Sequence, residues 1–359
     1  MVKDQPLSRD FATEGLVIGL LPFPTEGSDL ICNRQVRILL FTTGLALCSI
    51  DGSANDLAGQ VKAIQNLERE GHLPEAIIES SKLIDALKRS DPQSLLIPEA
   101  LDRRASLEQD LGRWAEAEHD YAQAITLWQP ATSLRPLSLA RELNNLASLY
   151  SSGGQFKKAE DLRRRSLALR VEFSGSDSPE VALCLSNLAA DLFGQGEYTE
   201  SAGLCRRALD IWAKGAPERD RSDLALNTLA LVELRNQHVS NGLSLAFAAL
   251  KKYEASQNPR KAQVAAYEHT IAVAREANGQ LAEAQQDFAS ALKTLEGTEH
   301  PPAIEQYNLF TDYARLLFVL HRKREAKDLV RKAHTEISKL DRTASQRYTV
   351  DVNALVSKH

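Results

Sequence analysis

Seven small residues recur along this chain at a nearly constant interval. They are Ala76, Ala117, Ala159, Ser201, Gly242, Ala284 and Ala326, spaced 41, 42, 42, 41, 42 and 42 residues apart. Two further columns keep the same phase. Twelve residues earlier stand Ile64, Ala105, Ala147, Ala189, Ala230, Ala272 and Ala314, and seven residues later Leu83, Ala124, Ser166, Ala208, Ala249, Ala291 and Ala333. A period of this length is the mark of stacked supersecondary units, and small side chains are needed where two antiparallel helices bring their backbones close. Between the first two columns lies a turn, written LGRW, GGQF, GQGEY or NGQL in different units, where glycine can take positive φ. Larger apolar residues fall at helical spacing, as in Leu143, Leu146 and Tyr150, or Leu185, Leu188 and Leu192. Pro92, Pro136, Pro179, Pro217, Pro259 and Pro301 each stand 22–25 residues before the next small marker, between units, where a helix must stop. One helix–turn–helix unit cannot bury its own apolar face, but seven stacked units can.

Composition removes several function classes. With 359 residues, 43% hydrophobic and 25% charged, the chain is globular rather than disordered. A net charge of −5 argues against a general electrostatic grip on nucleic acid. Four cysteines are too few for a disulfide-built scaffold. Cys184 and Cys205 fall on opposite helices of the fourth unit and read as buried free thiols, with a disulfide in an exported protein as the alternative. The chain has no P-loop, no G-x-G-x-x-G after a strand, no H-E-x-x-H and no C-x-x-C. Its eight histidines, His119, His238, His269 and His321 among them, share no ligand spacing with cysteine or carboxylate partners. The expectation is a non-catalytic protein with no cofactor and no metal. The basic run Arg163-Arg164-Arg165 reads as a solvated helix face, or alternatively as a patch for phosphate or an acidic partner.

The first 55 residues differ from the rest. Arg34 and Arg37 precede the apolar run 38–50, ILLFTTGLALCSI, followed by Asp51-Gly52-Ser53-Ala54. A basic start, a short apolar core and a small-x-small end make a secretory signal at about 34–54, with Gly52 and Ala54 at −3 and −1. Thirteen apolar residues are too few for a membrane span, which needs roughly 20. The residues before Arg34 fit a signal only if translation starts further downstream. Met1 is the sole methionine, so that start would use a non-ATG codon, for instance at Val36. Leu47 before Cys48 argues against lipidation. The reading is export to the periplasm or beyond; the alternative is a cytoplasmic chain whose run 38–50 is a helix capping the first unit. At the other end, residues 341–359 lose the period. Their TVDVNAL stretch is read as an extended segment on the last unit or as a frayed terminus.

The repeat resembles the tetratricopeptide repeat, whose small residues stand at the eighth, twentieth and twenty-seventh positions. The 42-residue spacing, with LNNLASLYSSGGQFKKAEDLRRRSLALR and LSNLAADLFGQGEYTESAGLCRRALDI, is similar to the kinesin light chain variety. Resemblance covers about residues 57–340 and is strongest in units two to four and six. Two places depart from it: Arg163, where a core apolar residue is usual, and Gln237-His238, in place of the turn glycine. The resemblance implies an all-α, right-handed superhelical solenoid of about seven helical pairs over 56–340, with first helices lining a concave face.

In such arrays positions 2, 5, 6, 9, 12 and 13 of each first helix point into the groove. Here Asn144 and Asn145 occupy positions 5 and 6 of the third unit, Asn187 position 6 of the fourth and Asn227 position 5 of the fifth. Asparagine is a poor helix-interior residue, so its use in three adjacent units needs a reason. An amide both donates and accepts, so it can hold a peptide backbone whatever the peptide's side chains. The resemblance implies such an asparagine ladder; the alternative is that the amides bond neighbouring helices and support the stack. Arg141, Ser148, His269 and Arg315 share the groove phase, and the two arginines are expected to select acidic features. The first three units hold Val61/Gln65, Asp102/Ser106 and Asn144/Ser148 at positions 5 and 9, without the lysine of a chaperone-type carboxylate clamp. The expected function is a protein-interaction scaffold receiving a peptide or partner segment. Alanine at Asn144, Asn187 and Asn227 should then weaken capture without changing the melting temperature. A ligand-sensing regulator whose curvature changes is the second reading, since such sensors usually carry an effector domain and the array takes up most of this chain.

Overall fold

The computed structural model describes residues 51–215, 220–256, 259–298 and 303–339. The run 38–50, Pro217, Pro301 and the tail 341–359 lie outside them. The described residues form fourteen α-helices in seven antiparallel pairs. The pairs are α1 (Asp51–Arg69) with α2 (Leu73–Ser90), α3 (Leu96–Asp110) with α4 (Trp114–Trp128), and α5 (Pro136–Ser152) with α6 (Phe156–Ser174). Then come α7 (Pro179–Gln195) with α8 (Tyr198–Lys214), α9 (Ser222–Arg235) with α10 (Val239–Glu254), α11 (Lys261–Ala277) with α12 (Leu281–Glu296), and α13 (Ala303–Val319) with α14 (Lys323–Lys339). The molecule is an all-α solenoid, and among the described residues no helix is long and apolar enough to cross a membrane.

All three small-residue columns are buried. Where serine replaces alanine its hydroxyl is satisfied on the neighbouring backbone, Ser166 donating to the Ala140 carbonyl at 2.6 Å and Ser201 to that of Ala189 at 2.7 Å. The fifth unit takes glycine at this place for a steric reason: a Cβ on Gly242 would lie 2.8 Å from Leu234 Cγ and 3.1 Å from the Ala230 carbonyl oxygen. Pro136 and Pro179 sit in the first turns of α5 and α7, and Ser178 caps α7 by accepting from the Val181 amide.

Every turn within a pair is built alike. Gly71, Gly112, Gly154, Gly196, Gln237, Gly279 and His321 have φ between 59° and 88°, and the amide after each bonds back five residues at 2.8–2.9 Å. This is the Schellman closure. Gln237 therefore keeps the standard turn without glycine, and His321 does the same in the last unit.

Each helix packs on its two sequence neighbours. The pairs α7 and α9, α9 and α11, and α11 and α13 also pack directly, whereas the substantial contacts of second helices are with first helices. First helices thus lie closer together than second helices, which sets the first helices on the inner face of the curve. At the C-terminal end α14 exposes Lys327 and His334 at the register where α8 places Ala202 and Leu209 against the core.

Candidate functional site

The inner face is stitched from unit to unit by side chains of successive first helices. Arg103 on α3 pairs with Glu68 on α1 at 2.8 Å, and Asn145 on α5 donates through Nδ2 to Asp102 on α3 at 2.7 Å. Further along, Tyr267 on α11 donates to Asp223 on α9 at 2.6 Å, and His269 Nε2 lies 2.9 Å from Asp312 on α13. Arg315 on α13 reaches back to Glu276 on α11 at 2.9 Å and also contacts Asp312. Among the described residues no group of histidine, cysteine and carboxylate side chains could hold a metal.

Asn144 belongs to a buried polar cluster between the third and fourth units. Its Oδ1 accepts from Arg163 Nη1 at 2.7 Å, and Asn187 Nδ2 approaches the same oxygen at 3.5 Å. Arg163 is only 4% exposed. Its Nε donates to Asp191 Oδ2 at 2.5 Å and its Nη2 to the Ser148 hydroxyl at 3.3 Å, while Ser151 donates to the other oxygen of Asp191. Burial raises the Asp191 carboxyl above the usual aspartate range, outweighing the opposite pull of Arg163. The reading of Arg163-Arg164-Arg165 as one solvated face is corrected here: Arg163 points inward to a carboxylate, whereas Arg164 pairs at the surface with Glu160 and Glu200.

Arg141 and Arg315 need a similar correction. Arg141 donates to Glu142 at 3.1 Å and sits 3.8 Å from Asp102; Arg315 lies between Glu276 and Asp312. Each guanidinium already faces two carboxylates, so neither is a free positive charge for selecting acidic ligands. Glu142 is fully buried, and burial, followed by the nearby Asp102, pushes its carboxyl well above the ordinary range. Burial opposes ionisation of Asp312 as well, but His269 and Arg315 hold its carboxyl below the usual value.

Between the charged stretches positions 2, 5, 6 and 9 of α7 and α9 are neutral, and Arg235 is charged at the far end of α9. Leu183 on α7, Leu224 and Leu231 on α9 and Val273 on α11 are half-buried in the groove register. Asn227 lies among them on α9, and its Oδ1 is buried without a hydrogen-bond partner. Four of the proposed groove residues bond to an adjacent first helix: Asn145, Asn187 and Arg315 to the preceding one and His269 to the following one. Asn144 and Ser148 contact Arg163, and Arg141 stays beside its neighbour Glu142. Cys184 and Cys205 are free and buried, and burial raises both thiols, Cys205 to about 12.

Glu142 and Asp191 did not emerge from sequence reasoning, and Arg163 emerged only as a departure from the repeat and as part of a basic run, yet a signal for the pair exists. Arg163 shares its repeat column with Ser80, Tyr121, Cys205, Ala246, Phe288 and Val330, and Asp191 shares its own with Asn66, Leu107, Leu149, Val232, Ala274 and Leu316. Two opposite charges in mostly apolar columns of adjacent units point to each other.

The tetratricopeptide-repeat family model matches residues 96–170 and 138–214, which span the second to fourth helical pairs. Residues 96–214 carry tetratricopeptide repeats. No curated protein sequence matches it. Among solved structures, the apo form of RapI superposes with a TM-score of 0.63 at 14% identity, covering 79% of this chain and 99% of that one. The Rap conjugation gene regulator of the plasmid pLS20, in complex with the Phr* peptide, gives 0.59 at 12% identity over 86% and 80%. A Podosopora anserina putative kinesin light chain with nearly identical repeats gives 0.40 at 23% identity over 59% and 98%. The array of helical pairs thus shares its solenoid fold with the Rap structures.

Proposed function

We propose that the array is a non-catalytic interaction scaffold whose inner face receives an extended peptide segment of a partner protein. The observation that carries this reading is Asn227, whose carbonyl oxygen is buried on that face with nothing to accept from. A buried acceptor left unpaired costs stability; the residue is only half-buried, so a turn of the Asn227 side chain would bring this oxygen to a peptide N–H laid along the groove. The half-buried leucines beside it supply apolar contact for a segment's side chains, and Asn187 supplies a second amide one unit away. A fold shared with a regulator solved in complex with a peptide is compatible with this use.

Asn187→Ala with Asn227→Ala tests the reading. Neither residue holds a buried charge in place, so helicity and melting temperature should stay close to those of the parent chain. Binding of peptides selected from a random display library on the full chain should weaken about tenfold or more, measured by fluorescence polarisation. Undiminished binding would remove the groove assignment. Asn144 is unsuited to an alanine test, because it is an acceptor for the buried Arg163 and its loss would lower stability as well.

A second reading, a sensor whose curvature changes on binding a small peptide, draws on the side-chain bonds between successive first helices, which a ligand could exchange for its own. It requires a ligand-dependent change in radius of gyration by small-angle scattering, and an unchanged value would discard it.

A further inference from the structure

We propose that Asn144 and Asn145 are locked with opposite polarity, so that the groove takes a peptide backbone through one fixed donor edge and one fixed acceptor edge. The inference rests on the peptide-groove reading above and adds which group each amide takes and which residues set it.

An asparagine amide has an accepting and a donating side and can ordinarily turn over. Asn144 cannot. Its contact is the guanidinium of Arg163, 2.7 Å away, and a guanidinium has donors only. Turning the amide would set Nδ2 against Nη1, donor against donor. The Arg163 side chain cannot retreat either, since Asp191 and Ser148 hold it from the other sides. Asn144 Oδ1 therefore faces Arg163, and Nδ2 is left with no hydrogen bond inside the protein and is not sealed from solvent.

Asn145 is fixed the other way round. Its contact is the carboxylate of Asp102, 2.7 Å away, and a carboxylate only accepts. Nδ2 must face Asp102, which leaves Oδ1 unbonded and likewise not sealed from solvent. Two adjacent half-buried residues of α5 thus present a donor and an acceptor, the complement of the C=O and N–H of one residue of an extended peptide. A peptide C=O goes to Asn144 and an N–H to Asn145, which favours one direction of the bound chain. Arg163 and Asp102 are positioning residues: they touch the amides and not the ligand.

The test uses isosteric changes in the full chain, with a library-selected twelve-residue peptide as probe. Asn144→Asp keeps an acceptor for Arg163 and removes the donor edge. Affinity should fall about tenfold or more while the melting temperature is retained. The reciprocal exchange Asp102→Asn with Asn145→Asp preserves the bond between units and still presents an acceptor at residue 145, so affinity should stay within about threefold. If Asn144→Asp binds as well as the parent, or the exchange loses as much as Asn144→Asp, the polarity assignment is overturned. Asn187→Ala with Asn227→Ala separates the two levels. If that pair abolishes binding while Asn144→Asp does not, only the polarity falls; if neither change matters, the groove reading falls with it.

Discussion

Arg163 on α6 and Asp191 on α7 form a 2.5 Å ion pair in the interior between two repeat units. Both are almost fully buried, each stands in a repeat column that is otherwise mostly apolar, and together they connect the core to Asn144 on the inner face. Desolvating two charges offsets most of their attraction, so the pair adds little net stability over apolar packing, yet breaking it from one side is costly.

Arg163→Met should therefore destabilise by about 3–5 kcal/mol, because Asp191 is left buried without its counter-charge. Adding Asp191→Leu should recover most of that loss. Urea midpoints of the two single variants and the double variant form the cycle that checks this. A double variant no more stable than Arg163→Met would show that Asp191 is not the partner that matters.

Gln237 and His321 hold left-handed backbone, with φ of 64° and 59°, where the other five turns have glycine. A non-glycine residue there strains by about 1–2 kcal/mol, while glycine gives back part of this through the entropy of the unfolded chain. Gln237→Gly should stabilise by up to about 1 kcal/mol, and Gly154→Ala, at φ 67°, should destabilise by a similar amount. Chemical denaturation of the two variants reads opposite shifts if the turn geometry is right.

Glu108 on α3 has its carboxyl pushed up to about 7, by burial first and then by the charge of Asp120. Its ordinary value is 4.5, so between these pH values the folded state keeps a proton that the unfolded state releases. Its contribution to stability is complete below about 4.5 and is lost as pH rises through about 7. The melting temperature should fall between pH 5 and pH 8, and Glu108→Gln should flatten that slope by an amount on the order of 2 kcal/mol. A parallel profile in the variant would refute the raised carboxyl.

Much of the architecture was legible in the chain itself, for reasons that particular residues make plain. Helix pairs must approach closely, so small residues recur in phase, and each column they mark is buried. Helix reversal requires a left-handed residue, so the glycines of LGRW, GGQF, GQGEY and NGQL fall on the turns. Gln237 shows the limit of this reading: the missing glycine signalled a local departure, yet the neighbouring units impose the same turn on glutamine. The register also singled out the asparagines as groove candidates, because position along a repeat is a property of spacing.

What their amides do was a different matter. From sequence, groove binding and stack support stood as alternatives, and the tertiary structure gives Asn144 and Asn145 each one engaged edge and one free edge. Arg163 was legible as an oddity in its column, but that it turns inward, and that Asp191 forty-two residues after Leu149 answers it, depends on the stacking of two units. Arg141 and Arg315 read as free cations until Asp102, Glu142, Glu276 and Asp312 were placed around them. Repeat phase is written locally, in the geometry of a helix pair, so the sequence determined it alone. Charge balance and hydrogen-bond polarity depend on distances between residues on different helices, 19 to 43 positions apart, and only the packed solenoid decided them.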